Sequence, residues 1–101
     1  MAGRGTVRVE RAARDIGENL AAWRKLQGLT AAQVAERAGV SRVTISKLEH
    51  GDLGVGLGIV LEVARALGQL DLVVAATDPY RSDVGRIRAT ETLPERVRNR
   101  G

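Results

Sequence analysis

Between Ser41 and Lys47 the chain gathers a guanidinium, an ammonium and three hydroxyls around a Val, in the order Ser41-Arg42-Val43-Thr44-Ile45-Ser46-Lys47. That set suits recognition of a nucleic acid. An Arg can hold a guanine edge through two hydrogen bonds, a Val can pack on a thymine methyl, and hydroxyls and Lys can meet phosphates. Other chemistries find little to work with. The chain has no Cys, so neither a thiolate nucleophile nor a thiolate metal site exists, and its one histidine is His50. A lone His at a helix end is expected to cap the backbone rather than to catalyse. The run GVGLG at 54–58 follows no strand and carries no Lys-Ser/Thr, so it reads as a loop, and no convergent carboxylate pair is apparent. The expectation is a binding protein that is not an enzyme and needs no cofactor or metal.

Those residues can serve only if something holds them outward, and the flanking sequence supplies it. Thr30 is an N-cap with Gln33 three residues on, the pattern of a capping box. Val34, Ala35 and Ala38 then share one face, and Gly39 permits the dihedrals of a sharp turn. Val40 plugs the angle, Ser41 caps a second helix, and Ile45 and Leu48 point inward at a spacing of three. The stretch from Leu29 to Gly51 is therefore expected to be two helices joined by a Gly turn, with the second laid into a major groove. Arg42, Val43, Thr44 and Lys47 are expected at base edges. Lys25, Thr30, Ser41 and Ser46 are expected at phosphates.

Around this motif the chain reads as follows. Residues 1–14 hold four Arg against one acid and show no apolar periodicity, so a flexible basic arm is expected. A first helix should run from about Asp15 to Gln27, with Ile16, Leu20 and Trp23 inward and Gly28 ending it. Residues 57–68 form a further helix whose Leu57, Val60, Leu61, Ala64 and Leu67 make a continuous stripe. Ile59 and Val63 fall off that stripe and are expected to reach a second subunit. The β-branched run at 69–78 has the composition of a strand, expected to pair with its copy through Leu72, Val73 and Val74 about a two-fold axis. Residues 79–101 are a basic tail with Val84, Ile87, Leu93 and Val97 as spaced anchors for a partner.

The whole chain has 101 residues, a net charge of +4 and 44% hydrophobic but only 2% aromatic residues. That is enough for one small helical domain with tails and favours polyanionic partners. No signal core or membrane-length apolar run is present, so a soluble cytoplasmic protein is expected.

The phrase LAAWRKLQGLTAAQVAERAGVSRVTISKLEHG, residues 20–51, resembles the helix-turn-helix domain of Cro/C1 regulators, the xenobiotic-response-element type, and HipB-type antitoxins most of all. The resemblance implies an ion pair between Arg24 and Glu49 that sets the reading helix on its scaffold. It also implies an all-α domain of four to five helices followed by one short β-strand shared across a homodimer, and a palindromic double-stranded DNA operator. The family usually places a Gln after the first cap to touch phosphate; this chain has Ala31 there, which cannot. A HipB-type antitoxin would neutralise a HipA-like serine/threonine kinase toxin and repress its own operon. The alternative is a free-standing Cro/C1-type regulator without a toxin.

Overall fold

Thr6 opens the first helix: its hydroxyl accepts the Val9 amide at 3.3 Å, and α1 runs Val7–Leu26 in a computed structural model that describes residues 6–92. Four further helices and a terminal one follow: α2 Ala31–Ala38, α3 Arg42–Glu49, α4 Leu57–Ala66, α5 Leu70–Ala76 and α6 Asp83–Thr92, with a 3-10 turn at Pro79–Arg81. The chain divides after Leu70 into two units.

The first unit holds the core. Leu20 of α1, Val34, Ala35 and Ala38 of α2, Ile45 and Leu48 of α3, and Val63, Ala64 and Leu67 in or just after α4 are all buried. The local chemistry of the motif explains why its helices stop where they do. Thr30 Oγ1 accepts the Gln33 amide at 3.1 Å while the Gln33 side chain receives the Thr30 amide at 2.8 Å, a complete capping box. Gly39, at φ 73°, ends α2 in the left-handed region, and its amide returns to the Glu36 carbonyl. Gln27 fastens the far end of α1 to the end of α4 through a 2.8 Å bond from its amide to the Leu67 carbonyl.

α1 begins well before Asp15, so residues 7–14 are helical instead of a loose arm. Val9, Ala13, Ile16 and Leu20 recur at helical spacing through this segment, and the Arg residues between them are good helix formers. Residues 1–5 of the expected arm lie outside the described residues. The helix also touches the motif closely. A Cβ on buried Gly17 would run into the backbone carbonyls of Leu48 and Glu49, the latter at 2.8 Å. Ile16 and Trp23, expected on the inner face, are 50% and 40% exposed.

This close approach gives a clean test. Gly17→Ala gains roughly 1 kcal/mol of helix propensity but forces α1 off the end of α3, at about 2–3 kcal/mol for overpacking. A net loss of about 1–2 kcal/mol is expected, seen as a melting temperature lower by several degrees. Gly58→Ala in α4, where a new Cβ meets nothing within 4 Å, should raise it instead.

Two expectations about the second half are overturned. Residues 70–76 form helix α5, and no strand occurs among the described residues. Gly68, at φ 76°, turns the chain out of α4, Asp71 sits in the first turn where the helix dipole favours an acid, and Ala75 and Ala76 are strong helix formers. Leu72 and Val74 are about 60% exposed on this helix and Val73 is half-buried. Val63 is 2% exposed and belongs to the core, so it cannot reach a second subunit, and Ile59 is half-buried against the same core. The inward face runs through Val60, Val63, Ala64 and Leu67, while Leu57 is 71% exposed.

The second unit is short and polar. Asp78 accepts the Tyr80 amide at 2.9 Å, Pro79 occupies the first turn, and Ser82 accepts the Gly85 amide at 2.9 Å to start α6. Residues 79–92 are therefore structured as turn and helix. None of the described side chains in this unit is buried; Val84 and Ile87 are 64% and 60% exposed. Leu93 and Val97 lie outside the described residues.

Candidate nucleic-acid interface

The second helix of the motif is short, and its position depends on three fixings. Ile45 is 1% and Leu48 5% exposed, which sets its rotation. Ser41 Oγ accepts the Thr44 amide at 3.1 Å, which sets its start. Its end is set by Arg24, whose Nε and Nη2 donate to the two Glu49 carboxylate oxygens at 2.8 and 3.1 Å, while Nη1 donates to the Leu29 carbonyl at 3.0 Å. One side chain thus ties α1, the approach to α2 and the end of α3. The pair keeps only 14% and 15% of its side-chain surface in water. The hydrogen bonds that Arg24 donates to Glu49 raise its pKa above its already high ordinary value, outweighing desolvation, so the guanidinium stays charged throughout the working pH range.

Held this way, α3 turns Arg42, Val43, Ser46 and Lys47 outward, all exposed, Val43 at 64%. No ion pair among the described residues engages Arg42 or Lys47. Thr44 is different: it is half-buried, and its hydroxyl lies 2.9 Å from Ser41 Oγ. That contact ties the Thr44 hydroxyl to the residue that caps the helix. A shallow trough separates this face from the start of α2, bounded by Ala31, Arg42, Val43 and Ser46. Thr30 and Ser41 are exposed beside it and Lys25 is exposed on α1; the Thr30 hydroxyl, which accepts a capping amide, has a proton to give a phosphate oxygen. Ala31 is half-buried and offers no polar side chain.

His50 closes α3. Its Nδ1 lies 2.7 Å from the Ser46 carbonyl, and Gly51 follows at φ 81°. Sequence reasoning missed two members of this arrangement. The Leu29 carbonyl is the third anchor of Arg24, and Gly17 is the gap that lets α1 meet the end of α3; a backbone acceptor and an absent Cβ leave little trace in residue types. No described group of His, Asp and Glu side chains could hold a metal ion, and no described helix is long and apolar enough to cross a membrane.

Comparison with known proteins gives two findings that fit this geometry. The sequence profile of a family described as helix-turn-helix matches residues 20–73, which covers α2, α3 and α4. A Methanothermobacter thermautotrophicus protein described as an uncharacterized HTH-type transcriptional regulator is 48% identical over 46 residues, or 46% of this chain and 67% of its own length. No solved structure matches the chain.

Proposed function

We propose, because the chain belongs to the helix-turn-helix family, that it is a DNA-binding transcriptional regulator that reads its site with α3. The observation that carries the reading is the outward face of α3, where Arg42, Val43 and Lys47 are exposed and neither cation is engaged in an ion pair among the described residues. Arg42 lies in the first turn, the part of a reading helix that reaches base edges, and is assigned a bidentate guanine contact beside Val43 on a thymine methyl. Ser41, Ser46, Thr30 and Lys25 meet phosphates and set the register.

Selection of duplexes from a random pool tests this. The wild-type protein should enrich one motif, and Arg42→Ala should lose about 1–3 kcal/mol and relax preference at one base pair per half-site. Equal loss on selected and random DNA would reduce Arg42 to a phosphate contact.

A repressor acting as a homodimer on a palindrome is the finer form of the reading, because two reading helices one turn of DNA apart need a two-fold axis. The exposed Leu72 and Val74 of α5 supply apolar surface for such pairing, now between helices. The antitoxin reading rests on the resemblance of residues 20–51 and on the second unit's exposed Val84 and Ile87. With residues 70–76 helical, the shared-strand argument for it is gone, and a free-standing regulator is the better-supported form. Co-purification with a HipA-like kinase encoded beside the gene decides between them. Capture by the full chain but not by a truncation after Asp78 supports the antitoxin; no capture by either leaves the regulator alone.

A further inference from the structure

The His50 side chain stands where three shallow depressions meet. One follows the outer face of α3 past Val43, Ser46 and Lys47, one lies between Ala31 and α3, and one runs along α1 between Arg14 and Lys25. The reading face is thereby continuous, across the end of α3, with one face of α1. That face carries Arg14, Glu18, Ala21, Ala22 and Lys25 at spacings of i, i+4, i+7, i+8 and i+11, and Arg11 precedes Arg14 by one turn on the same side. The two alanines keep the floor of the trough low between its cationic ends.

The charge balance on this face favours a polyanion. Arg11, Arg14 and Lys25 are exposed and belong to no ion pair among the described residues. Glu49, which also lines the trough, has its carboxylate neutralised by Arg24, leaving Glu18 as the one unpaired acid there. Arg14 and Lys25 lie eleven residues apart, about 16 Å along the helix axis, so they address different phosphates. Gly51 packs against this part of α1: a Cβ there would come within 2.7 Å of the Arg14 Cα. The basic segment is therefore seated on the motif and has a fixed place beside it.

We infer that this face of α1 is a second DNA contact, in which Arg11, Arg14 and Lys25 follow the phosphate backbone that flanks the groove read by α3. The inference rests on the DNA-binding reading above. It adds sequence-independent affinity and extends the footprint beyond the bases α3 touches, because phosphate contacts position a protein without reading sequence.

The test is a salt titration of binding to a fluorescent 30-base-pair duplex of random sequence, with NaCl between about 50 and 200 mM. Arg11→Gln/Arg14→Gln removes two charges while keeping the Arg14 Cβ and Cγ against Gly51. Arg37→Gln removes one exposed charge near α4, where the Arg65 guanidinium donates to the Arg37 carbonyl at 3.0 Å. Loss of two phosphate contacts should flatten the plot of log K against log salt by about 1.8 and weaken binding roughly ten- to hundredfold at 0.1 M. Arg37→Gln should match the wild type, and melting curves should coincide for all three proteins. An unchanged slope in the double variant overturns the inference, as does an equal effect per charge from Arg37→Gln, which would reduce the track to net charge. Failure of the wild type to bind any duplex would remove the DNA-binding reading itself, and the track with it.

Discussion

Ile45→Ala should cost about 3–4 kcal/mol and leave a protein that no longer holds DNA. Ile45 and Val34 are the largest side chains with essentially no exposure, and truncating such a residue typically costs 2–5 kcal/mol through lost burial and the cavity left behind. Domains of this size are stable by roughly 5–10 kcal/mol, so the loss is a large fraction of the total. It is also concentrated in the element that matters, because Ile45 and Leu48 are the buried residues of α3. Urea denaturation should show a lower midpoint with an unchanged slope. A variant as stable as the wild type would mean that α3 is anchored by something other than its apolar face.

Arg24→Ala is expected to cost about 2–4 kcal/mol. An exposed ion pair is worth less than about 1 kcal/mol, but this one is mostly out of water, and removing Arg24 strands the Glu49 carboxylate and takes a donor from the Leu29 carbonyl. Replacing both partners by apolar groups, as Arg24→Met/Glu49→Leu, should recover much of the stability because no buried charge is left unpaired. DNA affinity should not recover with it, since the pair's contribution is the seating of α3. Recovery of both would make the pair dispensable for function. The loss should not vary across the physiological pH range: the raised Arg24 pKa places any loss of its contribution at pH above the ordinary arginine range.

The motif was legible because each of its breaks has a chemical marker. Thr30 with Gln33, Gly39 and Ser41 each announce a cap or a turn, and the intervening apolar residues keep one helical phase. The start of α1 was hidden by its charge. The Arg residues of the segment 8–14 suggested a tail, although Arg costs a helix almost nothing and Val9, Ala13 and Ile16 were already in phase with Leu20. α5 was hidden by its composition: the apolar run from Leu72 to Ala76, with two adjacent Val, has no periodicity to separate strand from buried helix. Val63 was misplaced by phase alone, since α4 is apolar on so many positions that the stripe through Leu57 competed with the one through Val63. The Ser41–Thr44 hydroxyl contact had no marker in the sequence, because a hydroxyl near the start of a helix can bond locally or face outward with the same residue type.

Whether α3 presents its outward face to DNA can be read from the backbone amide resonances of the protein as a selected duplex is added. The largest shifts should fall at Ser41 to Lys47, with further shifts at Thr30, Ala31 and along α1 at Arg14 and Lys25, and little change in α4. Shifts concentrated in α4 to α6, with residues 41–47 unmoved, would contradict a DNA contact through α3.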